Sequence, residues 1–257
     1  MLTQSEIDDF NRDGFLHLPD FLSSAEAIDF RRSCFSLFEK KELPGDQNYI
    51  RQDLFNRHPE MRWLLDDQRI RGVLSSLLGE DFIFMDREAS VARNYYTQWH
   101  RDTEPPDKAG EQWVWETDVN LVQVGWYLQE NCADYGGGLE VVPGSHRRRE
   151  WTAANYKDSE ILHGRKRKLA RWANKAGLLD RPHGVPYIVP TKPGDLLLFH
   201  LRLIHKATYP KVCKTTEMPS HKEKILVSYG ASTNNEHPRN YMNFHAKRAD
   251  KQFISAY

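Results

Sequence analysis

Apolar residues recur at helical spacing in the first third of the chain and at strand spacing after it. In residues 3–13, Ile7 and Phe10 share a stripe, Thr3 and Glu6 stand three apart as a capping box, and Gly14 supplies the stop. Phe15-Leu16-His17-Leu18 reads as a short strand closed by Pro19. Ser23 and Glu26 repeat the capping box and open a helix running to about Lys41, with Ile28, Phe35 and Phe38 predicted on its buried face. Residues 42–60, polar and broken by Pro44, Gly45 and Pro59, read as a loop. Residues 62–78 read as one leucine-rich helix stopped by Gly79.

From Phe82 the pattern becomes that of strands: 82–85, 89–98, 119–128, 139–142, 187–189, 195–200 and 224–229. Many short strands separated by Gly and Pro turns predict a sandwich or jelly roll. The expectation is one domain over 1–257, mainly β with flanking helices: a helical N-terminal layer (about 1–80) on a β core (about 82–257). An insertion at 147–181 breaks this pattern with Arg147-Arg148-Arg149, Arg165-Lys166-Arg167-Lys168, Trp151 and Trp172. It reads either as a solvated helical face or as a lid offering cations to a pocket.

Composition narrows the function classes. The 36 basic and 36 acidic residues cancel, so no global field favours nucleic acid or an anionic membrane. Cysteines at 34, 132 and 213 have no zinc spacing, and their odd number argues against a disulfide framework. Residues 1–6 lack the basic and apolar regions of a signal peptide, and no apolar run approaches the ~20 residues of a membrane span. The expectation is a cytoplasmic monomer or homodimer acting on a small molecule, with no nucleic-acid or membrane partner.

The chemistry centres on Gln98-Trp99-His100-Arg101-Asp102-Thr103. In a strand, residues i and i+2 share a face, so His100 and Asp102 can converge. A second histidine would complete a 2-His-1-carboxylate set, which holds non-haem Fe(II) by one face. Two histidines end the strand that follows Pro193-Gly194-Asp195, namely His200 and His205. An uninterrupted strand would turn them to opposite faces. Between these motifs, Gly138-Leu139-Glu140-Val141-Val142-Pro143-Gly144-Ser145-His146 reads as a strand between two tight turns.

In order, residues 7–15 and 18–23, Trp99-His100-Arg101-Asp102, the Gly138-to-His146 stretch and the Pro193-to-His205 stretch resemble the phytanoyl-CoA dioxygenase family of Fe(II)/2-oxoglutarate-dependent oxygenases. The resemblance implies a double-stranded β-helix (jelly-roll) core, with Fe(II) held by His100, Asp102 and His205, and with 2-oxoglutarate and O2 as co-substrates. It makes His146 part of a structural turn. The family usually pairs the distal carboxylate of 2-oxoglutarate with Arg; here Lys224 stands in that region, with Lys222 as the alternative, and Gln98 and Tyr95 are expected nearby. The carboxylate at Asp102 favours hydroxylation over halogenation. Arg93, Arg202, Trp113 and Trp126 are the candidate substrate contacts, pointing to a polar or anionic metabolite or natural-product intermediate. The alternatives are a catalytically degenerate sensor module and a protein or peptide hydroxylase.

Overall fold

Both capping boxes start helices in the computed structural model, which describes residues 1–40, 48–132, 134–156 and 183–247. Thr3 accepts the N–H of Glu6, whose carboxylate takes the Thr3 N–H at 2.7 Å, opening α1 (Gln4–Asp13). Gly14 ends it at φ +82°, where any side chain would run into the His146 imidazole. β1 (Phe15–Leu18) follows as expected, then α2 (Ser24–Glu39). The buried face of α2 is Ala27, Phe30, Cys34 and Leu37, and Ile28 is 59% exposed. The 3-4-3 spacing of that set defines one stripe, and Ile28 lies off it. Phe35 and Phe38 flank the stripe and carry the guanidinium groups of Arg31 and Arg51 over their rings.

The loop expected at 42–60 is only partly one. Residues 41–47 lie outside the described residues; beyond them stand β2 (Ile50–Gln52) and the one-turn α3 (Leu54–Arg57), which buries Leu54 and Phe55. The single helix expected at 62–78 is two, α4 (Trp63–Asp66) and α5 (Gln68–Leu78). Asp67 divides them because its carboxylate accepts the Arg69 N–H at 2.8 Å and caps a new first turn.

The strands are β3 (Ile83–Arg93), β4 (Leu121–Tyr127), β5 (Leu139–Val141), β6 (Tyr187–Ile188), β7 (Leu196–His200), β8 (His205–Ala207) and β9 (Ile225–Ser232). The two strands expected at 82–85 and 89–98 are one, with a register shift between Met85 and Ser90, and it ends at Arg93. β8 and the helix Glu236–Ala246 are additions to the predicted elements. Two antiparallel sheets result, ordered β1-β7-β4-β9-β3-β2 and β6-β5-β8. Of the insertion, 147–156 is described and includes the short turn helix Ala153–Tyr156; 157–181 lies outside the described residues. No helix among the described residues is long and apolar enough to cross a membrane.

Pleat parity assigns the two faces of the larger sheet. Val122, Val124 and Trp126 of β4, with Val227 and Tyr229 of β9, pack against Phe30, Leu37, Leu64 and Leu74 of the helical layer. Their neighbours Gln123, Gly125, Tyr127, Leu226 and Ser228 point the other way, into a cavity closed by Leu139, His205 and Ala207 of the smaller sheet. Trp126 is therefore core rather than pocket wall: it is fully buried, with edge contacts to Phe21 and Phe30 at 5.7 and 5.9 Å. Trp126→Ala is expected to destabilise the fold by about 3–5 kcal/mol in urea unfolding. A loss below about 1 kcal/mol would show that the ring is not part of this core.

Candidate metal centre

After β3 the chain leaves the larger sheet and meets β8 at the edge of the smaller one, where the Thr97 carbonyl accepts the Ala207 N–H at 3.1 Å and His100 pairs with His205. His100 donates its N–H to the His205 carbonyl at 2.9 Å and receives the His205 N–H at 3.0 Å, an isolated antiparallel bridge. Asp102 lies past that bridge, in a turn tied by its N–H to the Leu201 carbonyl at 3.1 Å. His100 and Asp102 thus converge through a bridge and a turn, not through the i, i+2 face of a strand. Asp102 Oδ1 lies 3.5 Å from His100 Nε2 and 3.8 Å from His205 Nε2, and the donor atoms of the three residues lie within 4.8 Å of one another.

The backbone sets both tautomers. His100 Nδ1 faces the Gln98 carbonyl at 2.7 Å, and His205 Nδ1 faces the Leu203 carbonyl at 3.0 Å. A carbonyl only accepts, so each Nδ1 carries the proton and each Nε2 turns a lone pair to the centre. Burial, helped by the neighbouring His100, lowers the His205 pKa to about 4, so this ring is neutral at pH 7. Burial also pulls the His100 pKa down, but the Asp102 carboxylate outweighs it and the net shift is upward. Burial raises the Asp102 pKa, the two imidazoles outweigh that, and the carboxyl sits below its ordinary value. Two imidazole nitrogens and one carboxylate on one side of a point suit a divalent metal with open positions opposite.

His200 is not part of this set. It ends β7, and a turn separates it from β8, so no continuous strand relates it to His205. Its Nδ1 accepts the Arg202 N–H at 3.0 Å and its Nε2 donates to the Val119 carbonyl at 3.2 Å. Among the described residues a second cluster joins Glu116, Asp118 and His237, with exposed carboxylates. There His237 Nε2 lies 3.0 Å from Asp118 while its buried Nδ1 has no hydrogen-bond partner among the described residues, so the proton sits on Nε2 and is given to Asp118.

The three donors line a cavity of about 170 Å³. Lys224 lies in the same cavity, 2% exposed, just before β9. Its Nζ donates to the Tyr95 carbonyl at 2.7 Å and stands over the rings of Tyr96 and Tyr127 at 4.9 and 5.9 Å. Burial lowers its pKa to about 7. Lys222 does not share its face: it lies in the turn Ser220–Lys222, with Nζ over the Tyr135 ring.

The other expected contacts divide. Tyr95 lines the cavity and stacks on Tyr49, whereas the Gln98 side chain turns to the Tyr209 hydroxyl. Arg93 does not reach the cavity because both its Nε and Nη2 bond the Glu223 carboxylate at 2.9 Å. Arg202 is buried among the carbonyls of Val114, Glu116 and Val119. Trp113 packs in a separate apolar cluster and gives its indole N–H to Glu111. In their place the lining holds Ser90, Ser228 and Gln123, whose signal in the sequence is strand parity alone. The Ser90 and Ser228 hydroxyl oxygens stand 3.3 Å apart.

A jelly roll with two imidazoles and a carboxylate at its cavity has the architecture of the non-haem Fe(II)/2-oxoglutarate oxygenases. The family model of phytanoyl-CoA dioxygenase (PhyH) matches residues 10–209, and the chain belongs to that family of Fe(II)/2-oxoglutarate-dependent dioxygenases. It is similar to an ectoine dioxygenase of Sphingopyxis alaskensis, 26% identical over 217 residues that cover 76% of this chain and 67% of that protein. It spans about half the length of the ectoine dioxygenases of Nocardia farcinica and Halomonas elongata. The fold matches the crystal structure of iron-bound EctD from S. alaskensis with TM-score 0.61 at 20% identity, over 90% of this chain and 77% of that one. It also matches SnoN, a non-heme alpha-ketoglutarate-dependent epimerase from nogalamycin biosynthesis, with TM-score 0.60 at 16% identity, over 90% and 80% of the two chains.

Titration with Co(II) separates the two histidines that end the Pro193-to-His205 stretch. His205→Ala is expected to weaken Co(II) binding by more than about a hundredfold. His200→Ala is expected to retain binding and to unfold at lower denaturant, because it strands the buried Arg202 N–H. The reverse pattern would make His200 the ligand.

Proposed function

We propose that His100, Asp102 and His205 hold Fe(II), that Lys224 pairs with the distal carboxylate of 2-oxoglutarate, and that the chain hydroxylates an unactivated C–H bond of a small polar molecule. The observation that carries this reading is one cavity with three convergent donors, their tautomers set by backbone carbonyls, and one buried ammonium. With its metal and co-substrates bound, this class couples oxidative decarboxylation of 2-oxoglutarate to succinate and CO2 with oxidation of a substrate C–H bond.

The chain's own part is to bind, orient and keep water out. Lys224 is the one Lys or Arg among the described lining residues, and its charge is little screened because the side chain is buried. The Ser90 and Ser228 hydroxyls flank the same space and offer donors to a carboxylate. Phe199, Leu139 and Leu226 supply apolar wall, and Gln123 a neutral polar contact. With Arg93 and Arg202 engaged elsewhere, the described lining favours a substrate that is neutral around its reacting carbon. The small cavity and the relatives named for ectoine support a small molecule over a protein substrate.

Purified protein mixed anaerobically with Fe(II) and 2-oxoglutarate is expected to show a weak visible charge-transfer band, and to form succinate once O2 is admitted. Absence of both the band and bound iron would overturn the assignment. Lys224→Met is expected to raise KM for 2-oxoglutarate about a hundredfold, the effect of leaving a buried carboxylate unpaired. The pH profile carries a second signature. Below about pH 7, Lys224 of the free enzyme is charged and this group adds no slope to KM. Above it, binding must first take up a proton, so KM is expected to climb by up to about tenfold per pH unit. Lys224→Arg, charged throughout, is expected to flatten that climb.

A further inference from the structure

The turn Val142-Pro143-Gly144-Ser145-His146 touches both segments of the proposed metal centre. Ser145 is fully buried, and its Oγ accepts the N–H of Ile204 at 2.8 Å. That N–H belongs to the same peptide unit as the Leu203 carbonyl, and the Leu203 carbonyl accepts the Nδ1–H of His205 at 3.0 Å. A peptide unit is planar, with C=O and N–H pointing in opposite directions. Holding the N–H on Ser145 therefore sets the plane whose oxygen orients the His205 ring. A hydrogen bond at one end also polarises the other, so the two bonds reinforce each other.

The carbonyl of Ser145 acts on the other segment. It accepts Nη2 of Arg101, the residue between His100 and Asp102, at 3.0 Å. The same nitrogen bonds the Arg148 carbonyl at 2.7 Å. The anchor has a firm base: the Gly144 N–H bonds the Asp13 carbonyl at 2.8 Å, and His146 Nε2 bonds that of Asn11 at 3.2 Å, both in α1.

We propose that Ser145 is a positioning residue of the metal centre: its hydroxyl sets the Leu203–Ile204 peptide plane that aims His205, while its carbonyl, through Arg101, holds the His100-Asp102 segment in place. This rests on the ligand set proposed above. A turn that merely stabilises the fold would lose stability on substitution and leave the metal's surroundings alone.

The test is Co(II) titration of metal-free protein, followed by its visible d–d spectrum, alongside the thermal midpoint of the metal-free state. Ser145→Ala is expected to bind Co(II) about tenfold to a hundredfold more weakly, the range for groups that orient a ligand, and with an altered spectrum. Ser145→Thr, which keeps the hydroxyl, is expected to restore affinity and spectrum. Should the alanine variant fold too poorly to titrate, Ser145→Cys, of similar size but a weak acceptor, gives the same reading. Wild-type affinity and spectrum in the variant that lacks the hydroxyl, whatever its thermal midpoint, would overturn this proposal alone. No Co(II) binding by the wild type would overturn the ligand set and the proposal with it.

Discussion

The two backbone hydrogen bonds between His100 and His205 are the constraint on which the rest of the centre depends. They join a segment outside any regular strand to a three-residue strand more than a hundred residues later in the chain. The segment carrying His100 has no regular secondary structure of its own, whereas His205 stands on a strand of the smaller sheet. β8 pairs with β5, β5 with β6, and the segment carrying His100 and Asp102 closes onto the edge that β8 leaves open. Ordering so distant a contact opposes folding entropically. The larger sheet offsets that by fixing the end of β7, from which the turn to β8 departs.

The polar groups of the cavity are a carboxylate, two imidazoles and a buried ammonium, and Phe199, Leu139 and Leu226 contribute apolar surface. The protein does not wait for a ligand to orient its donors, since backbone carbonyls already select the tautomer of each imidazole. Preorganisation of this kind removes a reorganisation step from binding.

Local chemistry was the most readable part of the sequence. Both capping boxes lie within four residues and form as read. The ordered motifs around His100, Asp102 and His205 also converge in space, although by a bridge and a turn rather than by the strand geometry that a His-x-Asp pair invites. Nearness in sequence misled for Arg93, Arg202 and Trp113. Each lies close to a motif along the chain, yet each is held by partners elsewhere: Glu223, a ring of carbonyls and Glu111. Trp126 failed for a different reason. Tyr127 faces the cavity, so parity on β4 places its neighbour against the helices. The same alternation identifies Gln123 and Ser228, but only once one inward residue on each strand is known.

Lys224, in the role proposed for it, has a physical logic in this cavity that an arginine there would lack. An arginine presents five donors in a rigid fork and needs space and acceptors for each. The pocket around Nζ offers one carbonyl, that of Tyr95, and two aromatic faces, those of Tyr96 and Tyr127. Those partners suit a compact ammonium, which retains capacity for a carboxylate after bonding the carbonyl. The exchange also changes how the charge is held. Arginine remains protonated throughout the usual pH range, whereas burial brings Lys224 to the edge of neutrality near pH 7. In the proposed role, an incoming carboxylate would meet a cation whose protonation it helps to secure, so that the full ion pair would form only on binding.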